Sequence, residues 1–161
     1  MQQAGKGNDA LTSAKTHQDA TKRRYRILVV VMLLILSVQA WFGDFVNIFV
    51  APATGVTPPP FSVSGFFEGV ESLGFTLIWH TFEGIALVVL GASLAVLSFT
   101  WSKSRSVRIC SLLGFTFVIL AGMGGALFVL SGFSNGGNSM QMGGSFIAAY
   151  ALYFMTLYYS K

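Results

Sequence analysis

The sequence predicts an all-α integral membrane protein: a four-helix bundle with both termini in the cytoplasm. Three observations predict it. First, only 10% of the 161 residues are charged and 53% are hydrophobic, whereas an ordinary soluble domain carries about 25% charged residues. Second, four segments, 27–50, 75–99, 107–132 and 143–159, are apolar over about the 20 residues that a helix needs to cross a bilayer. Third, the basic residues follow one topology. Lys6, Lys15, Lys22, Arg23, Arg24 and Arg26 precede the first span, Lys103, Arg105 and Arg108 lie around the junction of the second and third, and Lys161 follows the fourth. An even number of spans puts them all on one side, which the positive-inside rule makes cytoplasmic.

A polar, basic cytoplasmic tail, 1–26, is expected to precede a single four-span transmembrane domain, 27–161. Its cluster from Lys22 to Arg26 suits anionic headgroups and anchors the topology. The tail is either disordered or helical where it runs into the first span. His17 within it reads as a solvated surface histidine. The first span carries Gln39, Asp44 and Asn47 in its second half. The run Val38-Gln39-Ala40 resembles a signal-peptide cleavage site. The apolar stretch nevertheless continues through Trp41, Phe42 and Phe45, so the segment is expected to remain as a span.

The outer loop, 51–74, contains Pro52 and the triplet Pro58-Pro59-Pro60, which favours an extended backbone. The following Ser64, Phe66, Phe67, Val70 and Leu73 form either one or two helical turns capping the outer end or a loop that dips its aromatics into the headgroups. This loop and the segment 133–142 hold no Lys or Arg, and the former carries Glu68 and Glu71.

Small residues mark helix contacts in membranes because they let backbones approach. The second span has Gly84, Gly91, Ala95 and Ser98 at helical spacing, the third has a run of small residues over 121–126, and the fourth has Gly143, Gly144, Ala148 and Ala151. Tyr153, Tyr158, Tyr159 and Trp101 are expected at the inner boundary, and Trp41 and Trp79 at the outer one, as aromatic belts. Cys110 is the one cysteine. It excludes an internal disulfide and any Cys-based zinc or iron–sulfur site within one chain. With the basic residues distributed by topology, no nucleic-acid surface is expected. No nucleophile–base pair or phosphate-binding loop is present either, so no catalytic residue is assigned.

The candidate site is the run Trp79-His80-Thr81-Phe82-Glu83-Gly84. An ionisable residue inside a span is a functional-site hypothesis by default. At about 1.5 Å per residue, His80 lies roughly 8 Å and Glu83 roughly 12 Å into the second span. Asp44, Asn47, Ser131, Met140 and Gln141 collect in the same outer half, and the inner half reads as almost purely apolar. Three chemistries fit. A haem would take His80 as axial ligand, with Glu83 beside it and Gly124 and Gly125 making room for the macrocycle. Ligation by two histidines of one chain is excluded, since the other histidine is in the tail. A copper ion would take His80 with Met140 and Met142. Alternatively, His80 and Glu83 form a hydrogen-bonded structural pair three residues apart on one helix.

The stretch 80–159 resembles uncharacterised small prokaryotic four-span membrane proteins. The likeness rests on His80, Gly84 and Gly91, the run Ala121-Gly122-Met123-Gly124-Gly125-Ala126-Leu127-Phe128, Ser139-Met140, and Ala149-Tyr150. It implies that the histidine belongs to the architecture, and it implies no activity. The expected function is therefore a non-catalytic subunit or accessory protein of a membrane redox or respiratory complex in the plasma membrane. Its partners would be the lipid bilayer and either other membrane subunits or further copies of the chain. A stand-alone haem- or copper-binding electron carrier is the alternative.

Overall fold

The computed structural model describes the backbone of residues 3–46 and 58–161, with side chains from Thr16 onward. Asn47, Pro52 and the end of the expected first span therefore lie outside the described residues. Five helices account for nearly all of the remainder: α1 (Gln3–Phe45), α2 (Val63–Ser72), α3 (Phe75–Trp101), α4 (Arg105–Leu130) and α5 (Gly136–Tyr159). Among the described residues there is no strand. Three helices are long and apolar enough to cross a membrane: α1 from Thr16, α3 and α4. The fourth long helix, α5, is less apolar because Gly, Asn, Ser and Gln fill its first turns and Tyr150, Tyr153, Tyr158 and Tyr159 its last.

The four long helices form a closed ring in chain order. α1 packs on α3, α3 on α4, α4 most extensively on α5, and α5 closes back on α1. The turn between α3 and α4 is three residues and that between α4 and α5 five, so neighbours are antiparallel. The tail does not detach from the first span. α1 runs unbroken for 43 residues, about 65 Å at 1.5 Å per residue, so its N-terminal part extends well past a bilayer core of about 30 Å.

The core repeats at helical spacing. Tyr25, Val29, Met32 and Leu36 of α1 meet Leu87 and Leu94 of α3, Val107 and Val118 of α4, and Ala149 and Tyr153 of α5. Tyr153 forms the centre and is fully buried. A Cβ added at Gly91 would lie 3.1 Å from its hydroxyl, and one at Gly114 would lie 3.1 Å from its ring. The tyrosine thus fills a slot opened by two glycines on two helices. This corrects its assignment to the inner aromatic belt. Tyr158, Tyr159, Trp41 and Trp79 are exposed, as a belt requires, whereas Trp101 is half-buried against Tyr25.

The glycines of α4 divide by face. A Cβ at Gly124 would lie 2.9 Å from the backbone nitrogen of Met142 and 3.1 Å from the carbonyl oxygen of Asn138, while one at Gly122 would meet nothing within 4 Å. On α5 the expected stripe is displaced. Gly143 and Gly144 have no close neighbour, and Ser145, Ala149, Tyr153 and Thr156 face the bundle instead. α5 also starts seven residues before the expected boundary at 143. Asn135 caps it, accepting from the Gly137 and Asn138 amides at 3.0 and 3.4 Å. Hydropathy misses these turns because they are polar and glycine-rich.

At the end of the bundle away from the α3–α4 turn, the choice between helical turns and a loop resolves as helix α2. Ser62 is its N-cap, accepting from Gly65 N at 3.0 Å. Val70 and Leu73 pack with Val46, Leu77 and Val129 in a second cluster. Gly69 admits the close approach, since a Cβ there would meet Val129 Cγ1 at 2.6 Å. Gly74, at φ 70°, reverses the chain into α3. Phe133, also at positive φ, is held by Phe128, ring against ring at 5.5 Å.

Candidate functional site

His80 lies on the face of α3 that meets α1. The Gln39 amide donates to the His80 carbonyl oxygen at 3.1 Å and approaches the ring Nε2 at 3.3 Å. Gly43, one turn further along α1, leaves the ring its space: a Cβ there would lie 3.2 Å from His80 Cε1. Gly84 does the same for Gln39, at 3.5 Å from Nε2. With Nε2 accepting, the neutral ring carries its proton on Nδ1, and Nδ1 has no partner among the described residues.

Glu83 does not pair with His80. Its Oε1 accepts from Trp79 Nε1 at 2.9 Å, one turn back on the same helix. The expected His80–Glu83 hydrogen bond is therefore replaced by two separate interactions, His80 with Gln39 and Glu83 with Trp79. The Gln39 amide engages the imidazole from α1, and Trp79, four residues before Glu83, is the same-face neighbour that meets the carboxylate. Three polar atoms in this small region, Gln39 Oε1, His80 Nδ1 and Glu83 Oε2, are shielded from solvent and unpartnered among the described residues. Trp79 is 46% exposed on the lateral surface.

The other sequence-predicted residues are elsewhere. Gly124 and Gly125 face α5, where the Met142 backbone and thioether occupy the space they leave. The room expected for a macrocycle is thus taken by a helix crossing. Met142 packs against Gly125, with its sulfur 3.2 Å from where a Cβ would be. Met140 is 80% exposed, so the two thioethers do not converge. His80 faces α1, while Met142 faces α4, and no group of three or more His, Cys, Asp or Glu positioned for a metal occurs among the described residues.

A polar layer that sequence reading assigned to apolar packing lies at the opposite end. Tyr25, Ser98, Ser111, Thr156 and Ser160 are all buried there. Tyr25 and Ser111 share a short hydrogen bond across the bundle. Ser111 gives its own proton to Val107 O at 2.7 Å, so the phenol is the donor. Ser98 and Thr156 donate to Ala95 O and Leu152 O at 2.7 and 2.9 Å. Hydroxyls returned to their own helix can be buried in a membrane without an unsatisfied donor. The half expected to be inner is therefore not purely apolar. The available signal was periodicity, since Tyr25 precedes Val29, Met32 and Leu36 on one face.

Comparison with protein-family models, with curated proteins and with solved structures gives no match. The chemistry of the site therefore rests on its own residues.

Proposed function

We propose that the chain is a four-span plasma-membrane protein with both termini inside, acting as a non-catalytic subunit of a larger membrane assembly. The lateral α1–α3 face at its outer end receives the partner. The observation that carries this reading is the group Gln39, His80, Glu83 and Trp79. It sets an exposed indole against a carboxylate at the α1–α3 contact, where three polar atoms, one of them the carboxylate's own Oε2, are unpartnered among the described residues. Polar atoms in hydrocarbon are costly until they find partners. In the assembly, a neighbouring span displaces the exposed Trp79 indole, which caps Glu83 Oε1, and so reaches them.

Support for the topology comes from charge placement. The antiparallel ring brings the basic start of the first span, the α3–α4 turn and Lys161 to one end, and exposed Glu68 and Glu71 to the other. The fourth span is α5, whose polar first turns would lie at the outer boundary. A redox or respiratory assembly remains the narrower form of the proposal, without a ligand set that favours it over other membrane complexes.

Gentle detergent extraction followed by native electrophoresis tests the reading. Wild type is expected to retain partner chains, and the double variant W79A/E83L to release them. A clean monomer from wild type refutes it. A Soret band in purified protein that vanishes in H80A would replace it with a haem carrier.

A further inference from the structure

Two grooves at the basic end of the bundle share one composition. The first, about 420 Å3, lies at the α3–α4 corner and is lined by Phe99, Lys103, Arg105, Arg108, Ile109 and Leu112. It contains three cations, no carboxylate and an apolar floor. Arg108 is already held in place: its Nε donates to Ser102 O at 2.8 Å, and its guanidinium carbon lies 5.6 Å from the Phe99 ring centroid. That hydrogen bond uses one of five N–H donors, which leaves the fork available to an anion. Lys103 and Arg105 are exposed and reach the same groove.

The second groove, about 550 Å3, is lined by Lys22, Arg23 and Arg26 with Asp19 among them, above Ile27, Val30 and other apolar side chains. Because α3–α4 and α1–α5 are opposite edges of the ring, the two grooves lie on opposite sides of the bundle. In the first, cations stand at the α3–α4 turn; in the second, they stand partway along α1 beside Leu157 near the end of α5; in both, apolar residues follow along the spans. A ligand that fits must carry an anion at one end and hydrocarbon at the other, and must approach laterally.

We propose that the α3–α4 groove is a binding site for an anionic phospholipid, with the phosphate on Lys103, Arg105 and Arg108 and an acyl chain along Phe99, Ile109 and Leu112. The α1–α5 groove repeats the chemistry with one opposing carboxylate, so it binds more weakly. The inference rests on membrane insertion, not on the partner proposed for the opposite end.

Native mass spectrometry of the full chain, with phosphatidylglycerol and phosphatidylcholine of matched acyl chains, tests it. Wild type is expected to retain phosphatidylglycerol preferentially. Each juxtamembrane charge contributes about fivefold, so K103Q/R105Q in a K22Q/R23Q background, which weakens the second groove as well, should weaken the first bound phosphatidylglycerol by about 25-fold. K161Q, outside both grooves, should leave it unchanged. I109Q should also weaken binding, and millimolar inorganic phosphate should not displace the lipid. Equal retention of the two lipids, or the quadruple variant within twofold of wild type, overturns the proposal. Full displacement by inorganic phosphate also overturns it, making the groove a free-anion site. The W79A/E83L variant should retain the lipid, which separates this site from partner capture.

Discussion

Gly122 and Gly124 stand two residues apart on α4 and offer a matched pair for testing how the bundle is held. Replacing either by Ala gives the helix interior the same propensity gain, about 0.5–1 kcal/mol in water. At Gly122 the new methyl meets nothing within 4 Å, so G122A should be neutral or stabilised by up to about that amount. At Gly124 the methyl would lie 2.9 Å from Met142 N and 3.1 Å from Asn138 O. Both are backbone atoms, which no rotamer change can move. Ordinary contact starts at 3.4 Å, so α4 and α5 must separate by about 0.5 Å. A gap of 0.5–1 Å forfeits a quarter to a half of the dispersion well at each contact. Overpacking of this kind costs about 1–3 kcal/mol. G124A should therefore be less stable than G122A by about 1–3 kcal/mol. Unfolding by titrated sodium dodecyl sulfate in mixed micelles, followed by tryptophan fluorescence, measures the difference. Equal midpoints, or a more stable G124A, would refute close α4–α5 packing as the origin of the glycine requirement.

Other expectations follow from the same structure. Tyr153→Phe should leave stability unchanged or slightly raised, because the hydroxyl has no partner among the described residues. Tyr153→Ala should cost about 3–5 kcal/mol, as measured in the same titration. A double-mutant cycle of Tyr25→Phe and Ser111→Ala should give a coupling of about 0.6 kcal/mol, the average for hydrogen bonds between membrane helices. Zero coupling would mean that their hydrogen bond contributes nothing to stability. In a Cys110→Ala background, K103C should react with a membrane-impermeant maleimide only after cells are opened, and S134C in intact cells. The reverse pattern would invert the proposed topology.

The helical class and its membrane character were legible because they depend on composition and on runs of about 20 residues. Those properties survive any arrangement of the helices. Helix ends were less legible. The start of α5 escaped hydropathy because Asn135 caps two glycine-rich turns whose role is conformational, not apolar. His80 meets a neighbouring helix, and nothing local in the sequence names its partner. Gln39 and Gly43 lie about 40 residues earlier, and only the α1–α3 crossing brings them to it.

By itself, the sequence determined that hydrophobic helices dominate this chain and that its basic residues segregate with the connections at one end. Charge and hydropathy are local, so they can be read residue by residue. Only the tertiary structure decided which glycines are contacts, that Tyr153 fills the slot beside Gly91 and Gly114, and that a hydroxyl layer is buried at the basic end. It also decided that His80 and Glu83 turn to different partners. These outcomes depend on which face each helix presents to which neighbour. A rotation of a few tens of degrees about a helix axis changes them all while leaving composition and period untouched.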